Sequence, residues 1–309
     1  MSVLAPLDRH APARVEASPC VNLAPLPHPV YFVVKDPKWA ALMADPELAF
    51  DDAMYQMCTT GHDIWSVQVF LDLKRAGLDV HLTPRPLPGR ICVIPFYNLD
   101  RHDKLFESFV VACRYDTPSP VLCDLRTVMN PLQVRDLERD QVMPHRPQPL
   151  LRARDLSRGS RMENLVFKGH SYNLAEPFRS PAFQTQLAAL GVRLVMGTEG
   201  TDNAFVDWAD YTSADAVIAV RNNTTYNIAL KPALKLVNAW LAGVPAILGP
   251  EPAYRDLRQS PLDFFEVRTP EQALDAVREL KEKPALYEAM VANGFERAQT
   301  FTAERVITL

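Results

Sequence analysis

Between Lys231 and Leu257 the chain reads KPALKLVNAWLAGVPAILGPEPAYRDL, an order of breakers and apolar residues that few folds accommodate. Pro232 suits a first helical turn, and Gly243 followed by Val-Pro ends a helix, so this stretch predicts a helix over 232–242 and a strand over 245–248. Leu236, Val237, Trp240 and Leu241 recur at helical spacing as a buried stripe. Lys235, Asn238, Ala239 and Ala242 form another side, where one charge, one amide and two methyls leave space for a close ligand. Lys231 brings no capping oxygen, so the first-turn N–H groups lack a local partner. Phosphate is the ligand such a helix start most readily holds, with water as the plain alternative.

The rest of the chain repeats this alternation. Apolar runs at 30–34, 78–82, 91–96, 108–113 and 121–124 read as strands of a parallel sheet. Helical patterns lie between them: residues 37–57 as two short helices broken at Pro46, and 64–76 as a helix ended by Gly77. A second series starts at Asn164, with strands near 164–168, 192–196, 214–220 and 264–267 and helices at 181–190, 270–281 and 284–299. The fold class is α/β. At 309 residues there is chain enough for two domains, each with its own core. The proline-broken MPHRPQPLLRAR of 143–154 is the natural junction between them.

Composition narrows the function classes. Apolar residues make up 48% and charged residues 23%, the balance of a globular protein, and a net charge of −4 gives no general attraction to nucleic acid or anionic membrane. No apolar run approaches a membrane span and no secretory signal opens the chain, so the expected address is the cytoplasm, with no transmembrane segment. The five cysteines are odd in number and make no C-x-x-C, which argues against zinc and against a disulfide framework; Cys92 and Cys113 read as reduced core residues.

KLVNAWLAGVPAILG resembles the donor-binding core of GT-B glycosyltransferases. In the group-one-like branch the pattern is EAMAAGVPVI, and Asn238 stands where its ribose-binding Glu would be. The α1,3-fucosyltransferase pattern EKLxNAxxAGxVPVxLGP is matched by Lys235, Asn238, Gly243, Pro245, Gly249 and Pro250, with Leu234 in place of its Glu. ENLVFKGHSYNL and WADYTSADAVIAVRNN precede it in the order expected of a nucleotide-sugar-binding half, and GHDIWSVQVFLDLKRAGLDVHL is similar to the first acceptor-side unit of such enzymes.

The resemblance implies two Rossmann-like domains facing a cleft. Its segments are a disordered Pro-rich arm (1–27), an acceptor-side domain (28–145), a linker (146–160), a nucleotide-sugar donor domain (161–300) and a C-terminal return (301–309). It implies a glycosyltransferase of the hexosyltransferase class whose donor is a substrate, with no separate cofactor. The acceptor is a hydroxyl compound, a glycan among the candidates, and nucleic acid is not a partner.

Ligands of open α/β sheets bind beyond the carboxyl ends of the strands, which draws Lys168 and Gly169, Arg221, and Gly249 and Glu251 to one edge. Arg221, Lys231 and Lys235 are the candidates for the diphosphate, Glu251 for the sugar, and Asn238 completes the donor set. Trp208 and Tyr211 are either base-stacking or core. His62 and Asp63 in the loop TTGHD, at the start of a helix, are candidate acceptor bases, with a helix N-cap as the alternative for Asp63. The sequence has no D-x-D, so the expected enzyme is metal-independent and uses cationic side chains instead. A non-catalytic nucleotide-sugar-binding protein is the rival reading. A Rossmann oxidoreductase is disfavoured because no G-x-G-x-x-G follows a strand.

Overall fold

The computed structural model describes residues 23–144, 146–197, 204–222 and 224–308, so most of the expected Pro-rich arm lies outside the described residues. The first apolar series forms β1 (Val30–Val33), β2 (Val80–Thr83), β3 (Ile91–Pro95), β4 (Phe109–Cys113), β5 (Leu125–Val128) and β6 (Asp140–Val142). These pair in parallel in the order β2-β1-β3-β4-β5-β6. Its helices are α1 (Ala40–Ala44), α2 (Ala53–Gln56) and α3 (Gln68–Arg75), the last preceded by a π-helical turn over Asp63–Val67.

The second series forms β7 (Asn164–Phe167), β8 (Arg193–Met196), β9 (Ala216–Ala219), β10 (Ala246–Leu248) and β11 (Phe265–Glu266), a parallel sheet ordered β11-β10-β9-β7-β8. Around it lie α4 (Pro181–Ala189), α5 (Ala204–Ala209), α6 (Thr225–Ala229), α7 (Leu234–Ala242), α8 (Pro252–Asp256), α9 (Pro270–Glu282) and α10 (Pro284–Ala298). The chain then enters α11 (Ala303–Ile307).

Both faces of the second sheet are buried, which is why its strands read as unbroken apolar runs. Ala216 and Ile218 of β9 pack with Phe183, Leu187, Val277 and Leu280 on one side. Val217 and Ala219 pack with Leu236, Val237, Trp240 and Tyr254 on the other. The helix over α7 ends as the sequence indicates: Gly243 sits at φ 68°, and a Cβ there would meet the Phe295 ring at 2.5 Å, so both backbone and packing demand glycine.

One expectation needs correcting in the first sheet, and one strand was not expected. No strand forms at 121–124, where Val121 and Leu122 follow Pro118 and Pro120 and are exposed; the strand is β5, one step later. β6 gave no apolar signal because Arg126 of β5 and Asp140 of β6 are register partners and form a buried ion pair.

The expected linker is also more than a spacer. Arg146 is buried and ion-paired with Asp72 of the first half. Gln148 accepts from the Asn238 side chain at 3.0 Å, Arg152 N donates to Ala209 O at 2.9 Å, and Arg154 pairs with buried Asp215 at 2.8 Å. The chain returns at its end, since Val306 and Ile307 of α11 line an apolar cavity with Phe32, Trp65, Leu73 and Val93 of the first half. Among the described residues, no helix is long and apolar enough to cross a membrane.

Candidate functional site

The carboxyl ends of the two sheets face one cavity of about 410 Å³, within the range of small-molecule sites. From the first half come His62, Trp65, Tyr97, Tyr115 and Asp116. From the second come Gly169, His170, Trp208, Arg221, Lys231 and Lys235.

The wall from the second half is cationic and begins at α7. Ala233 is its N-cap and makes no side-chain capping bond, so the first turn opens toward the cavity. Lys235 lies there with its Nζ over the Phe167 ring, 6.0 Å from the centre, and donates to the carbonyl of Lys168 at the end of β7. Gly169 lies beside this amine, where a Cβ would stand 3.4 Å from Nζ in ordinary contact. Burial, then the charges of Arg221 and Lys168, pull the Lys235 amine down to about 7, against a smaller opposing pull from Glu251. Arg221 follows β9 and is ion-paired with Glu251. Burial raises the Glu251 carboxyl above the usual range, although Arg221 works the other way. Lys231 pairs with Asp116, reaching across to the first half.

The opposite wall is aromatic. His62 is stacked between Tyr97, at 4.8 Å and 13°, and Tyr115, at 5.5 Å and 4°. Burial lowers the His62 pKa despite the opposing charges of Asp63 and Asp36, which keeps the imidazole neutral near pH 7. A matching pair sits across the cleft, where His170 stacks on Tyr172 at 5.1 Å and meets Trp208 edge-on at 4.7 Å.

Six of the sequence-derived candidates therefore converge on the cavity: His62, Gly169, Trp208, Arg221, Lys231 and Lys235. The others do not line it. Lys168 turns its amine to the Asp207 carbonyl at 2.9 Å, and Glu251 is spent on Arg221. Gly249 N donates to Ala219 O at 2.8 Å, extending the sheet. Asn238 is buried and bonded to Gln148, so the small-residue side of the helix, Ala239 and Ala242 included, is packed against protein.

Asp63 is likewise occupied. Its carboxylate accepts from Lys38 Nζ at 2.7 Å, Trp39 Nε1 at 2.9 Å, Thr59 N at 3.1 Å, Thr60 N at 2.9 Å and Thr60 Oγ1 at 2.8 Å. Asp63 N in turn donates to Thr60 Oγ1 at 3.2 Å, so T-G-H-D is a capping box with Thr60 as its cap, and Asp63 is not the N-cap. Tyr211 belongs to the core, whereas Trp208 faces the cavity. Tyr97 and Tyr115 were missed in the sequence, though each stands two residues beyond the end of a strand, β3 and β4, where the carboxyl-edge rule also applies.

No family model matches the sequence, and no curated protein is similar to it. Solved structures are similar in fold. HepE from Anabaena in complex with UDP aligns at 11% identity over 90% of this chain and 97% of its own, with a TM-score of 0.52. Its complex with UDP-glucose aligns at 10% identity over 91% and 97%, also with a TM-score of 0.52. The GtfA/B complex aligns at 10% identity over 70% of this chain, which spans about half (55%) of that longer chain, with a TM-score of 0.49. What this chain shares with HepE is its architecture, two Rossmann-like α/β domains facing a cleft, the GT-B fold.

Proposed function

We propose that the chain transfers a glycosyl group from a nucleotide-sugar donor to a hydroxyl acceptor. The observation that carries this reading is the two-walled cleft, with Arg221, Lys231 and Lys235 around an uncapped helix start on one side and neutral His62 on the other. Cations and free N–H groups suit a diphosphate, whose negative charge grows as it leaves. In the transfer, the acceptor oxygen bonds to the anomeric carbon, the bond to the phosphate oxygen breaks, and the hydroxyl proton passes to a base. His62 is the base in this reading, because the Asp63 carboxylate already accepts from Lys38, Trp39 and Thr60. Trp208 offers its ring to the nucleotide base.

The donor charge is held by side chains in this proposal and not by a metal, which the absence of D-x-D in the sequence supports. A hexosyl donor is proposed because HepE, the structural neighbour, binds UDP-glucose. The rival, a nucleotide-sugar-binding protein without transfer, is separated by donor hydrolysis. A transferase given UDP-glucose or another nucleotide sugar without acceptor releases nucleoside diphosphate slowly, and His62→Ala abolishes the release. Binding without release in any donor identified by a thermal-shift screen would favour the binder.

A further inference from the structure

His62 lines two cavities. One is the cleft, and the other, of about 180 Å³, is lined besides by Val34, Asp36, Thr60, Asp63, Ser66 and Asn98. We infer that the acceptor is a carbohydrate, with one sugar unit seated in this second, polar cavity and its reactive hydroxyl presented past His62 into the cleft. The inference rests on the transfer reading and gives that site its substrate class.

The chemistry of the second cavity selects hydroxyl groups. Asp36 is half exposed; its Oδ1 accepts from Lys38 N at 3.0 Å and its Oδ2 stands 3.8 Å from Lys38 Nζ, beyond hydrogen-bond length. That oxygen accepts from a sugar hydroxyl. The Asn98 amide makes one long bond of 3.5 Å to Val33 O, so its carbonyl and its other N–H serve a ligand that both donates and accepts. Ser66 Oγ donates to His62 O, which leaves its lone pairs to accept.

The rim adds a flat apolar surface. Tyr97 is 65% exposed while its ring stacks on His62, so a broad aromatic face stands beside the residue that lines both cavities. A pyranose places its C–H face on such a ring and its hydroxyls at the edge. A phenolic or alkyl acceptor uses the ring alone and gains nothing from Asp36 and Asn98, whereas sugar hydroxyls bond to both.

The test is ligand-observed NMR on the full chain, with and without saturating UDP, using methyl glucosides, maltose, cellobiose and lactose as probes and p-cresol and hexanol as the competing chemistries. At least one saccharide binds the UDP-loaded protein. Its affinity falls about tenfold in Asp36→Asn, which keeps the turn-capping oxygen, and similarly in Asn98→Ala, as for loss of a strong hydrogen bond. Tyr97→Ala also loses binding and Tyr97→Phe retains it. Circular dichroism and the UDP thermal shift, unchanged in Asp36→Asn and Asn98→Ala, show that fold and donor site persist. The inference is overturned if no saccharide binds, if p-cresol or hexanol binds instead, or if the variants bind as the parent does. Saccharide binding without any nucleotide binding would instead overturn the transfer reading and leave the sugar subsite standing.

Discussion

Lys235 links donor binding to pH. With its amine near 7 in the free protein, the charge that a diphosphate needs is present at pH 6 and mostly absent at pH 8. By simple titration about nine molecules in ten carry the proton at pH 6 and about one in ten at pH 8. A diphosphate beside the amine restores the charge, so binding at pH 8 takes up about 0.9 proton and the association constant falls about tenfold between pH 6 and 8, ~1.4 kcal/mol. A nucleotide sugar is the right probe, because its doubly esterified diphosphate keeps its charge across this window. Calorimetry in buffers of different ionisation enthalpy reads the proton uptake directly, and Lys235→Met removes both the uptake and the slope. Stability of the free protein moves the opposite way. The folded value lies below the ordinary 10.5, so the unfolded chain holds the extra proton between about 7 and 10.5 and stability rises with pH across that window. Equal affinity at pH 6 and 8 with no proton uptake would refute the reasoning.

Other perturbations separate binding from architecture. Arg221→Ala weakens donor binding by about 1.5–3 kcal/mol. It also lowers stability by about 3 kcal/mol by leaving Glu251 buried without its cation, so Arg221→Ala with Glu251→Gln regains melting temperature but not affinity in calorimetry. His62→Ala cuts turnover about 100-fold or more at unchanged donor affinity. Asp63→Asn, with one acceptor oxygen in place of two and no charge facing Lys38, lowers the melting temperature, while folded protein keeps its turnover; a loss of turnover at full stability would return Asp63 to the chemistry. Donor binding survives EDTA in calorimetry; loss on chelation with recovery in magnesium would show that cationic side chains alone do not hold the diphosphate. Saturating donor compacts the chain in small-angle scattering as the cleft closes; an unchanged radius of gyration would mean that the cleft is preformed.

Much of the second half is legible in the sequence because one physical rule governs it. Strands buried on both faces appear as apolar runs, and helices stopped by Gly191 and Gly243 separate them, so β7 to β11 fall within a residue or two of their expected places. The edge of the first sheet obeys a different rule. There Arg126 and Asp140 neutralise one another across adjacent strands, so hydropathy falls where a strand is present, and the exposed Val121 and Leu122 draw attention to a loop. Pattern reading detects burial, and it misses strands whose inward charges are satisfied by each other.

The site shows the same division between what a residue is and what its neighbours ask of it. Arg221, Lys231 and Lys235 were readable because strand ends and helix starts collect on one edge whatever the details of packing. Asn238, Glu251 and Asp63 carry equally suggestive side chains, but each has a partner distant in sequence: Gln148, Arg221 and the Lys38–Trp39 pair. No spacing rule finds a partner 90 residues away. The junction between the halves follows from this. Proline and a lack of periodicity mark 143–154 as irregular chain, yet Arg146 anchors it to Asp72 in the first half while Gln148, Arg152 and Arg154 anchor it to the second. Pro147, between them, accepts from Gln68 Nε2 of the first half at 3.4 Å, so the junction is fastened to both halves and is not a loose tether. The bond from Asn238 to Gln148 ties α7 to this junction, which gives the amide a structural place in a motif where its position alone suggested a ligand.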